Sequence, residues 1–141
     1  RQGLKEDSMD VIATDHAPHT QRDKNQSMQK APVGIVGIET VAALTYSELV
    51  LKGYLKPMQM VEKMSYNPAK VIGSDRGSLE VGKDADIVIF NPKKTYQIDK
   101  NNFASKGRNT PFDGRTVTGE VEYTICGGKM IYEKEMTGKK A

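Results

Sequence analysis

Short apolar runs separated by polar stretches divide the chain into a helical front and a β-rich back. Residues 1–10 read as the polar end of a helix and a turn. Val11-Ile12-Ala13-Thr14 is apolar without alternation, which suits a strand buried on both faces, as in parallel sheets and barrels. Residues 20–30 are almost wholly polar and predict an exposed loop, and Ala31-Pro32-Val33-Gly34-Ile35-Val36-Gly37 returns the chain with two glycines free to take unusual backbone angles. Over 38–51 the residues Ile38, Val41, Ala42, Leu44, Thr45, Leu49 and Val50 recur at helical spacing, and Gly53 is the stop. Strand, loop and helix make one βα unit. Pro57 opens a short helix over 58–64, Asn67-Pro68 opens another, and Gly73 ends it. Met58, Met60 and Met64 read as core gap-fillers rather than as ligands.

From Ser78 the periodicity changes. Residues 82–86 predict a turn, 87–90 a strand, and Asn91-Pro92 a break. Residues 96–98 read as a brief strand and 99–115 as a long polar loop. Residues 116–126 and 129–132 alternate well enough for a hairpin about Gly127-Gly128, with Val121, Tyr123 and Ile125 on one face.

At 141 residues the chain is too short for a self-contained barrel of roughly 250, so any barrel feature belongs to part of one. With 37% hydrophobic and 28% charged residues it reads as a globular chain, and no apolar run is long enough to span a bilayer. A net charge of +3, spread along the chain with only a mildly basic end near Lys134, Lys139 and Lys140, gives no support to nucleic-acid binding. A lone cysteine, Cys126, and no signal-like start fit a cytoplasmic location; the missing initiator methionine suggests that residues precede Arg1.

The chemistry concentrates at Asp15, His16 and His19, just beyond the first strand. A carboxylate there is costly unless hydrogen-bonded, paired or bound to metal, and in a barrel the C-terminal ends of strands are where ligands converge. The cluster lacks the compact Cys/His spacing of a structural zinc site and supplies at most part of a catalytic one. The residues alone leave a second reading open, with Asp15 capping the next turn and His19 on the surface. Glu39 and Asp86 are accounted for as a helix-start carboxylate and a turn aspartate. Phosphate-loop and dinucleotide fingerprints are absent, and Cys126 has no nearby histidine that would make it a nucleophile.

Thr14-Asp15-His16-Ala17-Pro18-His19, followed by residues 31–40, resembles the last barrel strand and loop of dihydroorotases in the cyclic amidohydrolase superfamily. Asn67-Pro68-Ala69-Lys70, residues 77–86 and Asn109-Thr110-Pro111-Phe112-Asp113-Gly114 extend the resemblance over essentially the whole chain. It implies an α/β fold: the C-terminal portion of a metal-dependent (β/α)8 TIM barrel (residues 1–77) plus C-terminal strands of a small composite β-sandwich (residues 78–141). It also implies reversible hydrolysis of dihydroorotate to N-carbamoyl-aspartate in pyrimidine biosynthesis. Asp15 would be the final metal ligand and the acid–base residue. His19 and the backbone near Pro32 and Gly34 would bind substrate, and His16 would support Asp15. One or two zinc ions would be held largely by residues outside this chain, a homodimer is compatible, and neither a nucleic-acid nor a membrane partner is expected. The 141 residues alone are expected to be inactive. The neighbouring alternatives are an allantoinase, a dihydropyrimidinase, or a catalytically silent homologue acting as a scaffold.

Overall fold

The computed structural model describes residues 1–134, so the basic end at Lys139 and Lys140 lies outside the described residues. Helix α1 (Gln2–Lys5) and its turn lead into the apolar run at 11–14. That run is extended but joins no ladder; the only pairing nearby is a single parallel bridge between His16 and Ile35. The expected strand is thus not formed among the described residues. A parallel strand depends on flanking strands for its backbone hydrogen bonds, and none lies beside 11–14 here. Instead the run is pinned from one side. Ile12 N donates to Lys63 O, Asn67 Nδ2 donates to Asp10 O, and the buried Lys63 ammonium donates to Met9 O at 2.7 Å and to Asp7 at 2.6 Å.

The polar stretch at 20–30 contains one helical turn, α2 (Gln21–Lys24), because Thr20 caps it by accepting from Asp23 N. Helix α3 (Ile38–Thr45) continues without a break into a π-helical turn (Tyr46–Val50). The two short helices expected after Pro57 are one helical run. Helix α4 (Pro57–Val61), a π-helical turn (Glu62–Tyr66) and helix α5 (Asn67–Val71) follow one another with helical angles throughout. Pro68 cannot donate to the ladder and crowds the carbonyl of the preceding turn, and the wider π turn ahead of it lets the helix pass through. Of the three methionines, Met60 is buried, whereas Met58 is 74% exposed and packs in no core among the described residues.

The back half is a three-stranded antiparallel sheet in the order β1-β2-β3: β1 (Ile87–Gln97), β2 (Thr116–Cys126) and β3 (Lys129–Glu133). The break expected at Asn91-Pro92 is an irregularity inside β1. Register shifts between Asn91 and Thr95 let proline sit outside the ladder, and the strand resumes to include Tyr96 and Gln97. The β2–β3 hairpin turns on Gly127 and Gly128, both at positive φ, as the sequence predicts.

Helix α3 lies against β2. Ala43, Ile98 and Val117 form the buried centre, with Leu44, Tyr96, Phe103 and Phe112 around it. Ser47 Oγ accepts from Thr118 N and donates to Thr118 O, riveting helix to strand. Gly119, at φ +102°, leaves room for the edge-on pair Tyr46 and Phe90; a Cβ there would sit 2.3 Å from Phe90. The long loop between β1 and β2 does not hang in solvent. It runs back across the start of α3 to the strand-end loops at 15–19 and 31–37.

Candidate functional site

Asp15 ends the extended run with φ +45°, in the left-handed region that aspartate tolerates better than most residues. It is exposed, and its carboxylate has no hydrogen bond or ion pair among the described residues. The turn it makes carries the chain into the bridge at His16. His16 Nδ1 accepts from Gly37 N at 3.0 Å and Ile38 N at 3.4 Å, so the ring fixes the first amides of α3 and carries its own proton on Nε2. His16 therefore locks the loop to the helix start, and no hydrogen bond joins it to Asp15.

His19 lies three residues further on. Its Nε2 is 3.0 Å from Val33 O, and its backbone amide donates to Asn109 Oδ1 at 3.4 Å. Pro32 and Gly34 lie alongside. Lys24 Nζ donates to Pro32 O at 2.9 Å and Gly34 O at 3.2 Å, tying the polar stretch to the returning loop. Gly34 has no substitute at its position. Its φ is +110°, and a Cβ would lie 2.5 Å from that of Ala17. The structure thus brings His16, His19, Pro32 and Gly34 into one loop pair, with Asp15 at its head.

Three contributors carried no site role in the sequence. Asn109 Nδ2 donates to Gly34 O at 2.9 Å and to Ala17 O at 3.5 Å, and its carbonyl accepts from Val36 N. Glu39 is more than a helix-start carboxylate, because it accepts from Ala104 N and Ser105 N, 65 and 66 residues away. Lys24 sits in a stretch whose uniform polarity hides which cation turns inward. Asn109 and Glu39 left a trace, the one in the Asn-Thr-Pro-Phe stretch and the other in residues 31–40.

A model of the amidohydrolase family matches residues 1–131. The chain belongs to the amidohydrolase family. Among curated relatives of this amidohydrolase chain, a dihydroorotase from Pelotomaculum thermopropionicum is 50% identical over 133 residues, covering 94% of this chain and 31% of that protein. A dihydroorotase from Clostridioides difficile is 47% identical over 131 residues, covering 93% and 31%. The chain thus spans about a third of the relatives it matches. Among solved structures, the L-hydantoinase (dihydropyrimidinase) from Arthrobacter aurescens superposes with a TM-score of 0.88 at 33% identity, over 94% of this chain and 31% of that one. A dihydropyrimidinase from Brevibacillus agri gives 0.88 at 28% identity, over 95% and 30%. The fold is accordingly an α/β one related to the (β/α)8 amidohydrolase barrel, with a partial, unclosed sheet.

Amidohydrolases are generally metal-dependent. Among the described residues no group of three or more His, Cys, Asp or Glu side chains could hold an ion. Asp15 presents an exposed carboxylate with no hydrogen bond or ion pair among the described residues. No helix among the described residues is long and apolar enough to cross a membrane.

Proposed function

We propose that this chain is the C-terminal third of a dihydroorotase. Residues 1–77 would end its barrel and residues 78–141 would supply strands of its small β domain. The observation that carries the reading is the similarity to curated dihydroorotases across the stretch that contains Asp15, His19 and Gly34. The loop geometry supports it, because an unpaired carboxylate at a strained turn stands at the head of a loop pair built from fixed backbone.

Asp15 fits one position of a metal site, by its free carboxylate and exposure, and the other ligands would come from outside this chain. A zinc ion bound there would supply Lewis-acid chemistry, polarising a carbonyl and making water a better nucleophile at neutral pH. Asp15 takes the proton from the attacking water as its oxygen bonds to the amide carbon. The C–N bond then breaks, and Asp15 delivers that proton to the departing ring nitrogen. His19, its Nε2 at Val33 O, holds the substrate carboxylate or the polar edge of the ring together with backbone groups of the Pro32–Gly34 turn. His16 keeps the loop seated on α3.

The test is turnover of dihydroorotate, allantoin and dihydrouracil by the full-length protein, with metal content measured on the same sample. Dihydroorotate hydrolysis with bound metal is expected. A clear preference for dihydrouracil or hydantoins would overturn the substrate assignment in favour of the second reading, a dihydropyrimidinase-type enzyme, which the similarity to the Arthrobacter and Brevibacillus structures supports. Metal-free, inactive full-length protein would point to the scaffold.

A further inference from the structure

We propose that Asn109 is a positioning residue for the substrate wall, and that residues 104–110 form a strap by which the β module sets the geometry of the candidate site. The inference rests on the reading of His19 and Gly34 as substrate contacts. One amide side chain lies between two loops that are far apart in sequence. Its oxygen receives the His19 amide, and its nitrogen donates to Gly34 O and, more weakly, to Ala17 O. Three of the four hydrogen bonds open to that side chain are thus directed into the wall, and its backbone carbonyl adds Val36 N.

The strap is fixed on either side of this insertion. At its start Glu39 accepts from the amides of Ala104 and Ser105, and Arg108 folds back onto the carbonyls of Ser105 and Gly107. In the middle, buried Gly107 passes so close that a Cβ would lie 2.9 Å from Val36 and 3.0 Å from Pro18, one residue on each of the two loops. At its end Phe112 enters the apolar centre under α3. The arrangement is more than a core contact, because two of its hydrogen bonds end on the backbone of His19 and Gly34, the residues assigned to substrate. A strap held this way transmits the position of the β module to His19 and Gly34, and small misplacements of positioning groups cost substrate affinity before they cost chemistry.

The experiment uses the full-length enzyme with Asn109→Ala and Asn109→Asp. Asn109→Asp keeps the acceptor for His19 N but turns an oxygen toward Gly34 O. The expected result is a KM raised about 10- to 100-fold with kcat little changed and metal content intact. In addition, the ratio of inhibition constants for uracil and orotate, which differ by the carboxylate, should fall toward one. Amide hydrogen exchange should quicken at 16–19 and 33–36 in Asn109→Ala, and mainly at 33–36 in Asn109→Asp, with β1 and β2 unchanged. Unchanged exchange in those segments, or an equal fall in kcat, metal content and melting temperature without loss of the orotate preference, would overturn the proposal. A wild-type enzyme that does not hydrolyse dihydroorotate sinks the proposed reaction and leaves the exchange measurement to decide on Asn109.

Discussion

Asp15 combines two demands that a substitution can separate. Its backbone needs a residue that tolerates positive φ, and its proposed acid–base role needs a negative charge on the side chain. Asparagine meets the first demand and fails the second. Asp15→Asn in the full-length enzyme should therefore lower kcat by about 10²- to 10⁴-fold with the melting temperature unchanged, whereas Asp15→Val should lose about 1–3 kcal/mol of stability as well. Steady-state kinetics and a thermal melt on the same preparations separate the two. Gly34→Ala attacks the wall from the backbone side. With Ala17 in the way and φ at +110°, the loop must shift, and activity should fall while α3 and the sheet keep their exchange protection.

A different carboxylate contributes to acid sensitivity. Asp86 is held below the usual carboxylate range chiefly by the Gly127 amide, with Arg76 adding to the effect. Its folded value lies below its unfolded one, so its contribution to stability is fully present above the unfolded pKa of about 3.9 and is lost as pH falls through the folded value. Asp86→Asn should flatten that acid limb. Denaturant melts of the full-length pair from pH 6 down to pH 2 should converge at the acid end; a constant gap would refute the assignment.

At the scale of elements, Gly119 makes the packing of helix on sheet possible. Gly119→Ala would drive a methyl into Phe90 and should cost roughly 1–3 kcal/mol, read as a lower denaturation midpoint. The elements most legible in the sequence are those set by local chemistry. The hairpin at Gly127-Gly128 and the helix that begins at Ile38 follow from turn residues and spacing and both formed, although Ile38, one of the apolar positions at helical spacing, is 60% exposed. What was illegible depends on partners. The run at 11–14 has the composition of a buried strand but no neighbour here to pair with. Pro92 looks like a terminator until a register shift accommodates it. Lys63 shows the same limit, for nothing in Glu62-Lys63-Met64 marks the lysine as 1% exposed, since its burial is decided by the carbonyl of Met9 more than fifty residues earlier. The candidate site divides the same way. Asp15 and His19 stand out by residue type and position, but Lys24, Glu39 and Asn109 act through main-chain atoms of other loops, and no spacing rule reports such contacts.

For the molecule as a whole, the apolar surface is the dominant fact. Met58, Val71, Ile72, Leu79 and Val81 are each more than 70% exposed, and Val88, Met130 and Ile131 on the sheet more than 50%. The outer strands β1 and β3 also have unpaired edges among the described residues. Surfaces of this kind drive association in water. The 141 residues expressed alone should self-associate and be inactive, as light scattering and a dihydroorotate assay would report; a monomer with a cooperative melt would contradict this.

The contact between His19 and Asn109 spans 90 residues of chain. Its consequence is for inheritance as much as for mechanism. If two relatives with different ring preferences were recombined at a junction between α5 and β1, each chimera would carry the loops of one parent and the staple of the other. Selectivity would then fail to follow the barrel fragment alone, and restoring residues 104–110 from the matching parent should bring it back.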